Sequence, residues 1–297
     1  MTTLVVGGDS LVGASVVRAL RERAQKVVAT TRREGTVSED RILLDFERPE
    51  TYQVGDSIES ALIIAAATNY ERCETDPMAR TINVKLIPDL VLSLLDQGKF
   101  VSFISTNSVF GGNRPWPHED DEHAPDIAYA QQKSDGEKAI RQRLVQGGTA
   151  ERFSIIRLTK IMNSKVSPLP AWFAAWEAGQ PIEPFEDLIF APISVRFVGD
   201  ALAELSQKRL SGNLHLSGAD NVSYVRFAHA LANELGIDPS LVKPTTSEAK
   251  GIHIAFKPKY SGIGMERTSE LSGLAPQAVE SLVKDIIADH FAATGES

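Results

Sequence analysis

Tyr129 and Lys133 stand four residues apart in the run Tyr129-Ala130-Gln131-Gln132-Lys133. On a helix that spacing puts both side chains on one face, so the ammonium comes near the phenol. A cation there favours the phenolate, and a phenol that ionises readily exchanges protons. Upstream, the apolar run from Phe100 closes in Ser105, Thr106 and Ser108, hydroxyls able to hold a carbonyl oxygen beside that phenol. A tyrosine and lysine at this spacing recur by chance, so their placement after such a strand is what gives them weight.

A second group of residues lies at the N-terminus. Gly7, Gly8 and Gly13 fall between an apolar run and a helical stretch, within VVGGDSLVG. A tight turn at that point lets backbone N–H groups reach a pyrophosphate at the helix N-terminus. The spacing fits G-x-x-G-x-x-G with Ser10 in the middle position, and the serine hydroxyl is a candidate phosphate donor. Gly7, Asp9, Ser10, Leu11, Val12 and Gly13 are therefore the expected pyrophosphate segment. An ordinary strand-to-helix reversal is the alternative, since glycines serve there too. After the second apolar run come Arg32 and Arg33, where a diol-binding acid is absent. Arginine at that point favours a ribose 2′-phosphate, hence NADP, a solvated basic turn being the alternative. Asp45 and Phe46 close the third run and are placed to bracket an adenine.

These groups need a frame that brings residue 7, residue 32 and residue 129 together. Apolar runs at Thr3–Val6, Lys26–Thr30, Arg41–Leu44, Ala61–Ala66 and Phe100–Ile104 predict buried parallel strands. Helical spacing over Leu11–Arg23 and Arg80–Gln97 predicts the intervening helices. A further helix is expected from Tyr129 to about Val145 with Asp126 as its N-cap, followed by a sixth strand, Phe153–Leu158. The fold class is α/β: a doubly wound parallel sheet of the Rossmann type with a smaller C-terminal substrate lobe. Residues 1–160 form the expected dinucleotide-binding domain, with 190–210 returning to it. Segments 161–189 and 211–270 form the lobe, and 271–297 carry a closing helix at Val279–Ala292. The prolines of Lys165–Pro192 predict a loop-rich stretch, and Tyr224–Leu235 a helix stopped by Gly236.

Composition narrows the partners. A net charge of −8 argues against a nucleic-acid or anionic-membrane surface and leaves a small-molecule site. Cys73 is the one cysteine, so no intrachain disulfide can form and a cytoplasmic location is expected. No apolar run nears the roughly 20 residues that span a bilayer, and no signal peptide is read at the N-terminus. The six histidines show none of the paired metal spacings, so no metal is expected. The acidic run Glu119-Asp120-Asp121-Glu122 reads as a solvated loop.

Taken together, these residues resemble the dTDP-4-dehydrorhamnose reductase branch of the extended short-chain dehydrogenases, over nearly the whole chain. The resemblance rests on Ala65-Ala66-Ala67-Thr68 followed by Cys73-Glu74-Thr75-Asp76-Pro77 and Asn83-Val84, on Ser105-Thr106-Asn107-Ser108-Val109-Phe110, on Tyr129 with Lys133, and on Pro258, Ser261 and Ile263. It implies that Thr106 supplies the hydroxyl, Tyr129 the acid, and Lys133 the ribose contact and activation of the phenol. It implies that Ala65, Ala66 and Ala67 line the cofactor, that the cofactor is NADP, and that the substrate is a nucleotide sugar reduced at its 4-keto group. A homodimer is implied in the same way. Departures fall at the substrate end. Arg157-Leu158-Thr159-Lys160 replaces Arg-Thr-Ser-Trp, removing an aromatic platform, and Ser108 replaces a tyrosine. Trp172 or Trp176 is a substitute platform or else a packing anchor, and Lys257 and Lys259 are candidates for a diphosphate. A nucleotide-sugar epimerase or dehydratase and a non-catalytic NADP-binding regulatory subunit stay open beside the reductase.

Overall fold

A computed structural model describes residues 1–48, 55–148 and 150–294. The chain begins with β1 (Thr2–Val6), α1 (Leu11–Glu22), β2 (Lys26–Thr31), β3 (Arg41–Leu43) and β4 (Ser60–Ile63). Two short helices, α2 (Tyr70–Thr75) and α3 (Pro77–Thr81), lead through a π-helical turn at Ile82–Leu86 into α4 (Ile87–Asp96). Then come β5 (Phe100–Thr106), α5 (Ala128–Gly147) and β6 (Phe153–Leu158). The one helix expected over Arg80–Gln97 is thus interrupted. The π turn swings Asn83 into the interior, where it is 1% exposed.

The second half holds β7 (Lys160–Met162), α6 (Leu169–Glu177), β8 (Ile189–Phe190), β9 (Pro192–Ser194) and α7 (Val195–Lys208). It closes with β10 (Gly212–Leu216), β11 (Val222–Ser223), α8 (Tyr224–Glu234), α9 (Glu266–Ser272) and α10 (Val279–Thr294). The expected closing segment is described as far as residue 294.

Seven strands form one sheet in the order β10-β6-β5-β4-β1-β2-β3, every pairing in it parallel. Parallel sheets are buried on both faces, which is why these strands are near-continuous apolar runs. On one face α1 and α7 pack Val16, Leu20, Val198 and Leu202 against Val5, Leu62 and Ile156. On the other, α4 and α5 pack Leu90, Leu94, Ile140 and Leu144 against Leu4, Ile63 and Phe103. The order reverses between β1 and β4, and in sheets of this kind the crevice beyond the carboxyl ends at that point is where ligands bind.

Two corrections to the sequence reading concern this sheet. Gly212–Leu216, assigned above to the second lobe, is the edge strand of the main sheet, in register with Ser154–Leu158. The crossover from β6 through α7 returns the chain to the sheet, and Leu214 and Leu216 bury in its core. Asp126 does not cap α5. The first helical residue is Ala128, and Ile127 occupies the cap position in an extended conformation without a side-chain cap, so Asp126 falls one residue outside.

The smaller part of the molecule has its own apolar cluster, built on Trp172, Phe173, Trp176, Phe227, Leu231, Leu282 and Ile286. Trp172 and Trp176 are each 6% exposed, so they anchor packing and offer no platform. Their helix, α6, lies inside the stretch expected to be loop-rich. Pro170 is tolerated because it sits in the first helical turn, where no backbone donor is needed.

A buried polar cluster pins the sheet to α5. Arg157, 1% exposed, donates from Nε and Nη2 to the Glu137 carboxylate at 3.1 and 2.7 Å. Its Nη1 donates to the Glu119 carbonyl at 2.8 Å, and the guanidinium meets the rings of His215 and His123 at 3.1 Å each. The acidic run expected to be solvated is instead tied down: Glu119 is 3% exposed, Asp120 pairs with Arg267, and Asp121 pairs with Arg114. Burial holds His215 near pKa 3 and His123 near 4, with Arg157 a further cause for both. Both therefore fold as neutral rings. An unfolded histidine takes a proton below about pH 6.5, so the unfolded chain binds more protons than the native one between pH 6.5 and about 4. Stability must fall with pH across that window, by about 2 kcal/mol per histidine at pH 5 relative to pH 7. Urea unfolding at the two pH values measures this, and His215→Gln is expected to flatten the dependence.

Candidate functional site

The glycine turn is built by close approach. Gly7 has φ +94°, and a Cβ there would lie 2.8 Å from the Ala65 nitrogen. A Cβ on Gly13 would lie 2.1 Å from the Gly7 carbonyl oxygen, so the first turn of α1 presses against the loop only because neither residue carries a side chain. The Gly7 nitrogen donates to Thr30 Oγ1 at 2.9 Å, joining the turn to β2. Ser10 caps α1: its Oγ accepts from the Gly13 nitrogen at 3.0 Å and donates to the Gly7 carbonyl at 2.8 Å. The serine proton expected for a phosphate is therefore spent inside the turn.

Beyond β1, β2 and β4 lies a cleft of about 630 Å³, within the range of small-molecule and cofactor sites. Among the sequence-predicted residues, Gly7, Asp9, Ser10, Arg32, Arg33, Asp45, Phe46, Ala65, Ala66 and Ala67 line it. Leu11, Val12 and Gly13 do not. Leu11 is 41% exposed, Val12 packs on the core of its sheet face, and Gly13 is buried under Gly7. Thr31, Asn69 and Arg72 also line the cleft and carried no signal of their own.

Charge is arranged at the β2 end. Asp9 accepts from Thr31 Oγ1 at 2.7 Å and from Arg41 Nη1 at 2.8 Å, and its carboxylate lies 3.5 Å from Arg33 Nε. Asp9 thus gathers two arginines at the rim. Arg32 is exposed in the cleft and has no ion pair among the described residues. Arg41 was missed because its role depends on β3 pairing with β2, which no local spacing encodes.

The hydroxyl end sits beyond β5. Thr106, 8% exposed, is the last residue of the strand, and its Oγ1 lies 2.8 Å from Ser108 Oγ. Tyr129, in the first turn of α5, packs against the cluster of Ala67, Cys73 and Ala79 beside the cleft wall, and the Thr106 hydroxyl lies near enough to act on its phenol. Its ring stacks on Tyr70 with centroids 5.5 Å apart at 30°. The structure therefore brings Thr106 and Tyr129 together. Thr106, Tyr129 and Lys133 do not line the cleft itself; Tyr129 touches it through Ala67.

Lys133 is 2% exposed, one turn along α5 from Tyr129. Its Nζ donates to the Ile104 carbonyl at 2.8 Å and lies 4.0 Å from the centroid of Phe103. Burial pulls its pKa down to about 8, Glu137 opposing. Burial pushes the Tyr129 phenol well above its ordinary range, Tyr70 and Cys73 adding to the rise and the nearby Thr106 hydroxyl opposing it. The sequence expectation that the ammonium favours phenolate is thus reversed here. The amine is turned to a backbone carbonyl, desolvation dominates, and the group beside Thr106 is a protonated phenol.

Asn83 holds the two ends in register. Its Oδ1 accepts from the Ala67 nitrogen at 3.0 Å, and its Nδ2 donates to the Ala67 carbonyl and to Gln132 Oε1, each at 2.9 Å. Gln132 in turn donates to the Cys73 carbonyl at 2.8 Å. The loop after β4, the π turn and the helix carrying Tyr129 are one hydrogen-bonded unit. Cys73 is buried, with its thiol pushed up by burial. On the far side, Asn107 Nδ2 donates to the Ser261 carbonyl at 2.7 Å, bringing the C-terminal loop to the same place. Lys257 is bound by Asp187 at 2.5 Å, and Lys259 lies 5.2 Å from the Tyr260 ring.

Residues 1–291 match the protein family described as RmlD substrate binding domain. The probable low-salt glycan biosynthesis reductase Agl14 of Haloferax volcanii is 27% identical over 253 residues, 82% of this chain and 83% of the relative. The β subunit of methionine adenosyltransferase 2 from Pongo abelii is 23% identical over 253 residues, 82% of this chain and 75% of the relative. The crystal structure of dTDP-4-dehydrorhamnose reductase from Bacillus anthracis in complex with NADP superimposes with TM-score 0.77 at 19% identity, covering 97% of this chain and 98% of that one. At that identity the likeness shows the fold. Among the described residues no helix is long and apolar enough to cross a membrane. With a match that runs from the glycine turn into α10, the chain belongs to the RmlD substrate binding domain family.

Proposed function

We propose that the protein is an NADPH-dependent reductase of a keto group, its substrate the 4-keto group of a nucleotide-linked deoxysugar. The observation that carries this reading is Tyr129 packed on the Ala67 side of the cleft with the Thr106 hydroxyl near its phenol at the end of β5. A dinucleotide bound in the cleft supplies the hydride. The residues present fit such a group. The side-chain-free turn at Gly7, against which Gly13 packs the start of α1, suits a pyrophosphate. Arg32 and Arg33 suit a 2′-phosphate, Phe46 and Asp45 an adenine, and Ala65–Ala67 the ribose and nicotinamide side. Thr106 and Tyr129 then hold the carbonyl oxygen, and the phenol delivers its proton to the forming alkoxide. On this reading Lys133, one turn along α5 from Tyr129, makes the ribose contact.

Mixing the purified protein with NADPH and a panel of nucleotide-linked 4-keto-6-deoxysugars tests the reading through loss of the reduced nicotinamide absorbance. Turnover with one of them is expected. Tight NADPH binding without turnover on any keto sugar contradicts it and favours the regulatory reading, for which the methionine adenosyltransferase relative and the departures at Ser10, Asn107, Ser108 and Lys160 speak. Tightly held NAD recovered from fresh protein favours an epimerase or dehydratase.

Cofactor choice gives a separate check. Replacing Arg32 and Arg33 together by alanine is expected to raise the KM for NADPH by about 10- to 100-fold, the equivalent of one or two charge-assisted hydrogen bonds. The KM for NADH should hardly move. Initial rates with both cofactors measure the ratio, and equal losses for the two contradict a 2′-phosphate role.

A further inference from the structure

We propose that His118, Glu119 and Glu266 form a binding site for a divalent transition-metal ion of the zinc type, apart from the cofactor cleft. Histidine spacing gives no sign of it, because the third ligand arrives from α9, late in the chain. One donor atom from each of the three side chains lies within 4.8 Å of the others. His118 Nδ1 and Glu266 Oε2 are 3.3 Å apart. Ligands of a tetrahedral zinc, each about 2.0–2.1 Å from the metal, stand about 3.3–3.4 Å from one another, so this pair already has the spacing of two ligands. None of the three residues lines the cofactor cleft, and the site stands whether or not a keto sugar is reduced.

Glu119 is the residue that calls for an ion. It is 3% exposed, and its Oε1 is buried without a hydrogen-bond partner. A carboxylate withdrawn from water and left unpaired is strongly disfavoured, and a bound cation removes that cost. The neighbouring cations are engaged elsewhere. Arg267 pairs with Asp120 and Arg114 with Asp121, while Arg157 meets the Glu137 carboxylate and only the carbonyl of Glu119. An ion pair between His118 and Glu266, whose side chains are 62% and 60% exposed, accounts for those two and leaves Glu119 as it is. The backbone holds the donors in place. The His118 nitrogen donates to Asp121 Oδ2 at 2.6 Å, and the Glu119 carbonyl accepts from Arg157 Nη1 at 2.8 Å and from Asn213 Nδ2 at 3.0 Å. The Gly264 nitrogen donates to the Pro117 carbonyl at 3.0 Å, joining the two segments that carry the ligands. A Cβ on Gly264 would lie 2.5 Å from Glu266 Oε2 and 3.4 Å from His118 Nδ1, so the glycine keeps the space beside these donors open. Two carboxylates and an imidazole suit zinc, whereas magnesium prefers six oxygens. Three protein ligands leave the fourth tetrahedral position to water. Bound there, the ion ties the loop before α5 to the start of α9.

The test uses the full-length protein without a histidine tag, freed of metal by chelation and then titrated with Zn²⁺ in competition with a chromogenic chelator. One ion per chain with a Kd below about 10 µM is expected, and weaker binding overturns the site. His118→Ala, Glu119→Gln and Glu266→Gln are each expected to weaken binding by at least about tenfold, the loss that follows removal of even an outer partner of a metal. Zinc held by other groups would leave the affinity of His118→Ala and Glu266→Gln within about tenfold of wild type, and that result overturns the site as well. Both of these side chains are largely exposed, so their variants decide the question should Glu119→Gln misfold. Zn²⁺ at 100-fold above its Kd is further expected to raise the unfolding midpoint of the wild type by about 4 °C and that of each variant by less. No rise in the wild type contradicts an ion held by the folded chain.

Discussion

Tyr129→Phe is expected to lower kcat for keto-sugar reduction by about 10²- to 10⁴-fold, the range that a positioned general acid contributes. The affinity for NADPH and the thermal midpoint should stay close to wild type. The reasoning is geometric. The phenylalanine ring keeps the stack on Tyr70 and the contact with Ala67, so the cleft wall is preserved. What disappears is the hydroxyl beside Thr106. A loss in kcat with binding intact marks an interaction made only as the alkoxide forms. A binding module would keep its function with phenylalanine at this position, so the same variant separates the two readings. Steady-state kinetics together with NADPH titration gives both numbers.

The second large effect is on stability. Arg157→Leu is expected to destabilise the fold by about 3–5 kcal/mol, because it leaves the fully buried Glu137 carboxylate only its longer ion pair, 3.6 Å to Arg141. Glu137 lies one turn beyond Lys133 on α5, so the loss should loosen the helix that presents Tyr129. Arg157 also holds the Glu119 carbonyl and two neutral histidine rings, which lose a partner in the same step. Adding Glu137→Leu removes the stranded charge, and the double variant is expected to recover a large part of the deficit. Urea unfolding of the two single variants and the double measures the coupling. Additive losses would show that the pair contributes nothing as a pair.

Much of the frame was legible in the sequence for a simple reason. Strands buried on both faces must be continuous apolar runs, and β1, β2, β5 and β6 stand out as such without their neighbours. The glycine turn was legible for a different one, since a backbone that approaches Ala65 and the Gly7 carbonyl so closely admits no Cβ. What could not be read is what depends on partners far apart in the chain. β10 looks like an isolated short strand until β6 is beside it. Arg41 becomes a rim residue only through Asp9, 32 positions away. Tyr70 carries no motif, and its meaning lies in a ring stack made with residue 129. Desolvation is likewise invisible to spacing. Four residues between tyrosine and lysine say that the groups are near, whereas the surroundings decide that the phenol keeps its proton and the amine turns to Ile104. The histidines show the same limit: no spacing pairs His123 with His215, and Arg157 brings them together.

The central claim is that one cleft places a nicotinamide ring beside Thr106 and Tyr129. A crystal structure of the protein with NADPH tests it most directly. The account predicts the pyrophosphate against the Gly7 turn, the 2′-phosphate at Arg32 and Arg33, and the nicotinamide C4 about 3–4 Å from the spot where a carbonyl held by Tyr129 and Thr106 would react. A dinucleotide whose nicotinamide end points away from Tyr129, with the phenol still covered by Tyr70, would contradict it.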